Sequence, residues 1–322
     1  MASSNVLVIG CGSIGLRHLR NLLLRADVDL AAVDPSPDAA GRVAAISRSI
    51  RFFEALSEAG DWKPDLVIVA TPNHLHRSGC LWAFEHGADV LCEKPLADTL
   101  EAGRAIVATA AAAGRRLAVG FSERYRLAVQ YIEEEARAGR LGTLVGGRAM
   151  VGTYNTLLSA KDPADRCNTF GNVIIDYVHE LDILAALFGD YRRVECMANR
   201  LGRRELTANP GLAALLVEYA SGAVVSVHMD YVQHPDRRIL EIYGDLRTLS
   251  YDFVTDTLEV FDSERPEAHE VRRFRNVRDE QFQREHEDAL SMVRTGTRPR
   301  VTGEDALRSL SLAEAAINRL RA

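Results

Sequence analysis

Along the first 120 residues, short apolar runs alternate with helical patterns, and few folds accept that alternation. The runs NVLVIG, VDLAAVD, PDLVIVA, ADVLCE and RLAVGF are apolar along most of their length, as strands buried on both faces are. Between them, SIGLRHLRNLLLRA and TLEAGRAIVATAAAAG repeat apolar residues at helical spacing, the second ending in a glycine suited to a C-cap. Strand, helix, strand in repetition requires right-handed crossovers, and therefore a parallel, doubly wound sheet.

Beyond residue 121 the pattern changes. ERYRLAVQYIEEEARAGRLG reads as a helix with a glycine stop, and IIDYVHELDILAALFG as a second helix. VGGRAMVGTY, LLVEYASGAVVSVHMDY, RILEIYG and TLEVFD carry β-like alternation, with ASGA supplying a hairpin turn. Two further helices, DEQFQREHEDALSMVRTG and GEDALRSLSLAEAAINRL, close the sequence. With 322 residues and 47% hydrophobic content the chain can build about two domains. The expected division is an α/β dinucleotide-binding domain over residues 1–120 and an α+β domain with a mainly antiparallel sheet over 121–322. The last helix is expected to pack back on the first domain.

Composition narrows the function. Lys+Arg 39 against Asp+Glu 45 gives a formal charge of −6 without a basic block, which argues against nucleic acid or an anionic membrane as partner. No run approaches the roughly 18 apolar residues of a membrane span, and MASSNVLVIGCG lacks the basic segment of a signal peptide. The five cysteines, Cys11, Cys80, Cys92, Cys167 and Cys196, form no CxxC pair, and no cluster has zinc spacing. A reduced, cytoplasmic protein with no metal is expected.

VLVIGCGSIGLRHL places Gly10, Gly12 and Gly15 directly after an expected strand and at the start of an expected helix. The first glycine permits a tight turn, the second lets a pyrophosphate approach the backbone, and the third lets helix and strand pack closely. The helix start at Ser13 and Ile14 then offers N–H groups and the positive end of a dipole to phosphates. Asp34 ends the next strand, near the spacing of about 20 residues expected for a ribose-binding acid. A carboxylate there accepts from both ribose hydroxyls and repels a 2′-phosphate; Arg42 follows only eight residues later. NAD is therefore expected rather than NADP.

LCEKPLAD puts Glu93, Lys94 and Pro95 at the carboxyl end of an expected parallel strand, where doubly wound folds bind their ligands. A lysine at that position suits proton exchange with an alcohol while hydride leaves its carbon. At these residues the chain resembles a known family. GCGSIGLRHLRNL, TPNHLH, CEKPLA and GFSERY, in this order and spacing, resemble the glucose-fructose oxidoreductase / inositol dehydrogenase / MocA family over essentially the whole chain. The resemblance implies an N-terminal Rossmann domain, a C-terminal domain with a large open sheet, a nicotinamide cofactor, and oxidation or reduction at a sugar or cyclitol hydroxyl. It further implies that Lys94 stands at the reaction centre, before a proline whose peptide bond is often cis, and that Thr71, Asn73, His76 and Glu93 line the cofactor cleft. Arg124 and Tyr125 match a family segment and are expected to touch substrate, although Leu127 stands where a proline often follows.

NVIIDYVHELDILAALFGD sets Asp176, His179 and Asp182 three residues apart on a helical pattern, adjacent on one face. A histidine flanked by carboxylates can be held in one tautomer, as a proton donor or acceptor must be. By the resemblance, His179 and Asp176 are catalytic and Asp182 lies towards the substrate. Many alcohol-oxidising members carry the first aspartate one residue earlier, where this chain has Ile175; DxxHExD resembles a branch that includes nucleotide-sugar and amino-sugar dehydrogenases.

TYNTLLSAKDPADRCNTFG, residues 153–171, reads as a long polar loop, with Lys161, Arg166 and Asn168 as candidates for substrate groups. His18, His228 and His234 read as packing or surface residues. The main expectation is an NAD-dependent oxidoreductase acting on a secondary alcohol or ketone of a carbohydrate-like molecule. A nucleotide-binding regulator without turnover needs the glycine loop but neither Lys94 nor His179. Glycoside cleavage by transient oxidation is the third reading. An open sheet with one uncovered face implies a homodimer or homotetramer.

Overall fold

The computed structural model describes residues 3–153, 173–199, 211–265, 267, 269–275, 277 and 279–320. The chain divides into two compact units, Met1–Tyr125 with Arg278–Leu310, and Arg126–Val277 with Ser311–Ala322.

In the first unit, β1 (Ser4–Ile9), β2 (Val28–Val33), β3 (Arg51–Phe53), β4 (Leu66–Val69), β5 (Asp89–Glu93) and β6 (Leu117–Gly120) form one sheet in the order β3-β2-β1-β4-β5-β6. Every pairing is parallel. Helices α1 (Ser13–Leu22), α2 (Ala39–Ala44), α3 (Leu56–Ala59), α4 (His76–Glu85) and α5 (Leu100–Ala112) make the crossovers. The order reverses between β1 and β4, which is where such sheets open a crevice at their carboxyl ends. Val6, Val8, Leu66, Ile68 and Leu91 pack against Leu16, Leu19 and Leu22 of α1, and against Ala289, Leu290 and Met292 of a late helix, α9 (Glu280–Thr295).

Two local readings differ from the sequence expectation. The helix opening at Ser13 stops at Leu22, because Leu23 and Leu24 fall on the solvent side, Leu24 at 75% exposure. An Arg294–Asp27 ion pair at 2.7 Å then holds the turn into β2. β3, only three residues long, carries too little periodicity to be read. At α5, by contrast, the Thr99 side chain accepts the Ala102 N–H at 3.2 Å, and Gly114 takes the left-handed conformation (φ 62°) past the helix end, as the composition of that segment implies.

The second unit holds β7 (Leu144–Gly152), β8 (Tyr191–Asn199), β9 (Leu212–Tyr219), β10 (Val224–Asp230), β11 (Arg237–Gly244), β12 (Arg247–Asp252), β13 (Thr257–Asp262) and β14 (His269–Arg273). Their order is β14-β13-β12-β11-β7-β10-β9-β8. Only β7 with β10 is parallel among these pairings. β9 and β10 form the expected hairpin, with Gly222 at φ 92° in its turn. β8, β12 and β14 escape periodicity because polar residues dominate their outer positions.

Helix α6 (Leu127–Arg137) and the pair α7 (Val173–Asp176) and α8 (Val178–Phe188) belong to the second unit, with α8 packed on α6 and β7. The single helix expected over 174–189 is broken at Tyr177 (φ −98°, ψ 30°). Asp176 and Tyr177, on either side of the break, both meet Tyr231 at the end of β10: its hydroxyl donates to the Asp176 carboxylate, and its ring lies 5.5 Å from that of Tyr177. The last helix, α10 (Gly303–Arg319), runs through the boundary between the two segments Arg278–Leu310 and Ser311–Ala322. No helix among the described residues is long and apolar enough to cross a membrane.

Glu180 of α8 is buried and takes the Arg238 guanidinium at 2.6 Å, while Arg238 also stacks 4.4 Å above the Phe253 ring. Glu180→Leu removes the carboxylate beside a guanidinium that is 20% exposed. A loss of about 2 kcal/mol is expected, less than for a fully buried pair. A urea titration should show a lower midpoint with an unchanged m-value.

Candidate active site

Gly10 sits at φ 94°, and a Cβ on it would stand 2.7 Å from the Ala70 carbonyl oxygen at the end of β4. A Cβ on Gly15 would stand 1.8 Å from the Gly10 carbonyl oxygen, so α1 can cross the end of β1 only with hydrogen at that place. Gly12 differs from both. Its φ is an ordinary −73°, and a Cβ would meet nothing within 4 Å. The protein itself therefore has no need of glycine at position 12, and the space there has the room that a closely approaching pyrophosphate would require. Gly12 and Ser13 are exposed, α1 has no side-chain cap, and no acidic residue stands in its first turn. Its N–H groups and dipole are thus left for an anion.

Asp34 accepts hydrogen bonds from the Cys11 N–H (2.6 Å) and the Ser36 N–H (2.8 Å). Burial alone would raise its pKa, but Ser36 and Cys11, aided by Arg42, hold it below the usual carboxylate value. The acid is therefore ionised beside the glycine loop. Arg42 pairs with Asp38 at the start of α2.

Five expected residues gather around the ends of β4 and β5. Thr71 directs a buried hydroxyl that has no hydrogen-bond partner among the described residues. Asn73 opens a short turn, Asn73–Leu75, and is half-buried. His76 is 1% exposed, with Nδ1 2.9 Å from the Pro95 carbonyl and Nε2 2.9 Å from the Thr71 carbonyl. Burial, working against those two carbonyls, pushes its pKa down. As a neutral ring His76 donates to one of these carbonyls and lies against the other, so it ties the turn after β4 to the turn after β5. The Lys94–Pro95 peptide is cis, Lys94 is partly exposed, and its N–H donates to Glu93 Oε2 at 3.1 Å. Glu93 is buried and faces His18.

In the second unit, Asp176 and His179 are half-buried and stand on opposite sides of the Tyr177 break. The hydroxyl of Tyr231, missed in the sequence, donates to Asp176; burial first, then the Asp176 charge, drives its own pKa far up. Across a broken helix the spacing of three no longer fixes Asp176 and His179 on one face. Asp182 is 1% exposed. Arg124 and Tyr125 are also buried, in the turn Ser122–Tyr125. The Tyr125 hydroxyl donates to Asp288 at 2.8 Å inside the first unit, so the expected substrate role of this pair is not supported by exposure. Lys161, Arg166 and Asn168 lie outside the described residues.

Of the two readings for His18, packing or surface, the structure has the first: its ring is fully buried, and it stands between Glu93 (2.9 Å) and His286 (2.7 Å). The available signal was a histidine among Leu16, Leu19 and Leu22 on the apolar face of α1, a place where a polar ring requires a buried partner.

The contrast among the glycines is testable by thermal melting and NADH fluorescence titration. Gly12→Ala should melt within about 2 °C of the wild type yet weaken NADH binding roughly tenfold or more. Gly15→Ala should lower stability by several kcal/mol, on the order of the largest single-site effects.

Residues 4–121 match a family model described as an oxidoreductase family, NAD-binding Rossmann fold, and residues 150–321 match the same family's C-terminal alpha/beta domain. The chain is 30% identical over 240 residues to D-apiose dehydrogenase of Paraburkholderia graminis, covering 72% of this chain and 62% of that protein. It is 32% identical over 237 residues to inositol 2-dehydrogenase of Acidothermus cellulolyticus, covering 70% and 66%. The match thus spans just under two thirds of these relatives' length. The solved structure of UDP-N-acetylglucosamine 3-dehydrogenase GnnA from Acidithiobacillus ferrooxidans shares the fold, with a TM-score of 0.85 over 99% of this chain and 98% of that one at 22% identity. With both halves matched, after a glycine loop and a Glu-Lys-Pro turn of the expected geometry, the chain belongs to the glucose-fructose oxidoreductase / inositol dehydrogenase / MocA family of oxidoreductases.

Proposed function

We propose that the protein is an NAD-dependent oxidoreductase that moves hydride between nicotinamide and a secondary alcohol, or the matching ketone, of a sugar, sugar derivative or cyclitol. The observation that carries this reading is the open position at Gly12, before an uncapped helix start and beside an ionised Asp34. That arrangement binds a dinucleotide through its pyrophosphate and ribose, and it disfavours a 2′-phosphate. The names of relatives support the substrate class: D-apiose, inositol and an N-acetylglucosamine nucleotide all present secondary hydroxyls.

When bound, the nicotinamide supplies or receives the hydride. Gly10, Gly12, Ser13, Ile14 and Gly15 hold the phosphates, and Asp34 holds the adenosine ribose. Thr71 offers its hydroxyl and Asn73 its amide at the end of β4. Lys94 and His179 carry the substrate proton, because oxidation of an alcohol releases one proton for each hydride removed. Asp176, held by the Tyr231 hydroxyl, places a fixed negative charge three residues before His179. A regulator would need neither proton carrier. A reduced, cytoplasmic setting fits the free thiols of Cys11, Cys80, Cys92 and Cys196.

Self-association follows from the outer face of the second sheet. Met197, Ala214, His228, Met150 and Ile239 stand side by side in register across five strands, and Met197 is 80% exposed. We assign this face to a homodimer or homotetramer. Met197→Asp should shift the mass measured by light scattering towards the monomer; an unchanged mass removes the face from consideration.

An absorbance screen at the NADH band over sugars, cyclitols and nucleotide sugars tests the activity. Lys94→Ala and His179→Ala should each lower kcat about 10²- to 10⁴-fold while NADH still binds. Turnover equal to wild type in both variants rejects the assignment of roles.

A further inference from the structure

Behind the Lys94 turn lies a buried polar chain for which the proposed chemistry has no direct use. His286 of α9 places Nε2 2.7 Å from His18 Nδ1, and His18 Nε2 stands 2.9 Å from Glu93 Oε1. The other oxygen, Glu93 Oε2, accepts the Lys94 N–H at 3.1 Å. The Phe282 ring meets His18 edge-on at 5.7 Å, with Arg17 stacked 4.3 Å above Phe282. Three elements, α1, β5 and α9, therefore contribute one group each to a chain that ends on the backbone of Lys94.

The proton assignment is constrained. Burial would raise the Glu93 pKa, but His18, with help from Lys94, holds it low, so its oxygens act as acceptors. Burial, with the nearby charges of His18 and Arg25, pushes the His286 pKa well down. Two arrangements satisfy these contacts, His286 donating from Nε2 to a neutral His18 or a protonated His18 donating from Nδ1 to His286; in both, His18 donates from Nε2 to Glu93, and Glu93 accepts again from the Lys94 N–H. A buried carboxylate costs several kcal/mol unless hydrogen-bonded, so its donors also fix its rotamer.

We propose that His18, backed by His286, is a positioning residue that fixes Glu93 and through it the backbone at Lys94. The claim deepens the dehydrogenase reading and rests on it for its kinetic consequence. His18 is fully buried and acts through Glu93. Its contribution is to keep the lysine within the small tolerance that proton transfer demands, where a displacement of about 1 Å costs on the order of 10²-fold in rate.

The test uses the full-length protein with His18→Leu, which fills the same space without donors, and His18→Gln, whose amide can still donate to Glu93. Amide hydrogen exchange is read at Lys94, with Leu91 and Cys92 of the same strand as internal controls. In His18→Leu the Lys94 amide should exchange at least about tenfold faster while Leu91 and Cys92 stay protected. The kcat should fall on the order of 10²-fold with the KM for NAD unchanged within about twofold, and His18→Gln should recover most of both. Equal Lys94 exchange in wild type and His18→Leu overturns the proposal, as does a loss of protection at all three amides, which would mean a general structural role. If no sugar or cyclitol is turned over by the wild type, the dehydrogenase reading falls, and the exchange data still decide whether His18 holds the turn. His18, Glu93 and Glu285 also bring three ligand-capable atoms within 4.8 Å of one another. A stoichiometric divalent metal in the purified protein would replace the His18–Glu93 hydrogen bond and so overturn the assignment.

Discussion

The crossing of α1 over the end of β1 is the contact on which the rest of the first unit depends. With a Gly10 carbonyl oxygen 1.8 Å from where a Gly15 Cβ would stand, no side chain is tolerated between them. Because the helix lies so close, its first N–H groups open beside the Cys11 amide that clamps Asp34, and one turn further on His18 reaches Glu93. Both the cofactor cradle and the support of the lysine turn are thus set by one interatomic approach. A helix displaced outward by the width of a methyl group would change both at once.

Much of this was legible in the residues themselves. The doubly wound sheet followed from apolar runs alternating with helical patterns, and the glycine loop from three glycines placed between a strand and a helix. The hairpin at Gly222 was equally visible. Four strands, β3, β8, β12 and β14, escaped for local reasons of length and polarity; the side-chain contacts that escaped depend on partners distant in sequence. His18 looked like packing because its partners stand 75 and 268 positions away. Tyr231 looked like the end of a strand because Asp176 is 55 positions away. The carbonyls that face the His76 ring belong to Thr71 and, 19 positions away, Pro95.

The second unit shows where a spacing argument loses force. Asp176, His179 and Asp182 would share a face on an unbroken helix, but the turn at Tyr177 resets the phase. A one-residue offset of the aspartate relative to many family members is then not a rotation of about 100° about a helix axis. Asp176 is held in place by a phenol from β10, with a helix terminus on one side and a strand end on the other. The remaining acids of α8, Glu180 and Asp182, turn inward.

Cys11, the residue between the first two glycines, brings a chemical consequence of its own. Oxidants attack thiolate sulfur. Here the thiol is fully enclosed, and burial together with the neighbouring Asp34 charge moves its pKa up to about 12. At physiological pH almost none of it is ionised. The loop therefore resists sulfenic acid formation and alkylation in its folded state, and peroxide would have to unfold it before silencing it.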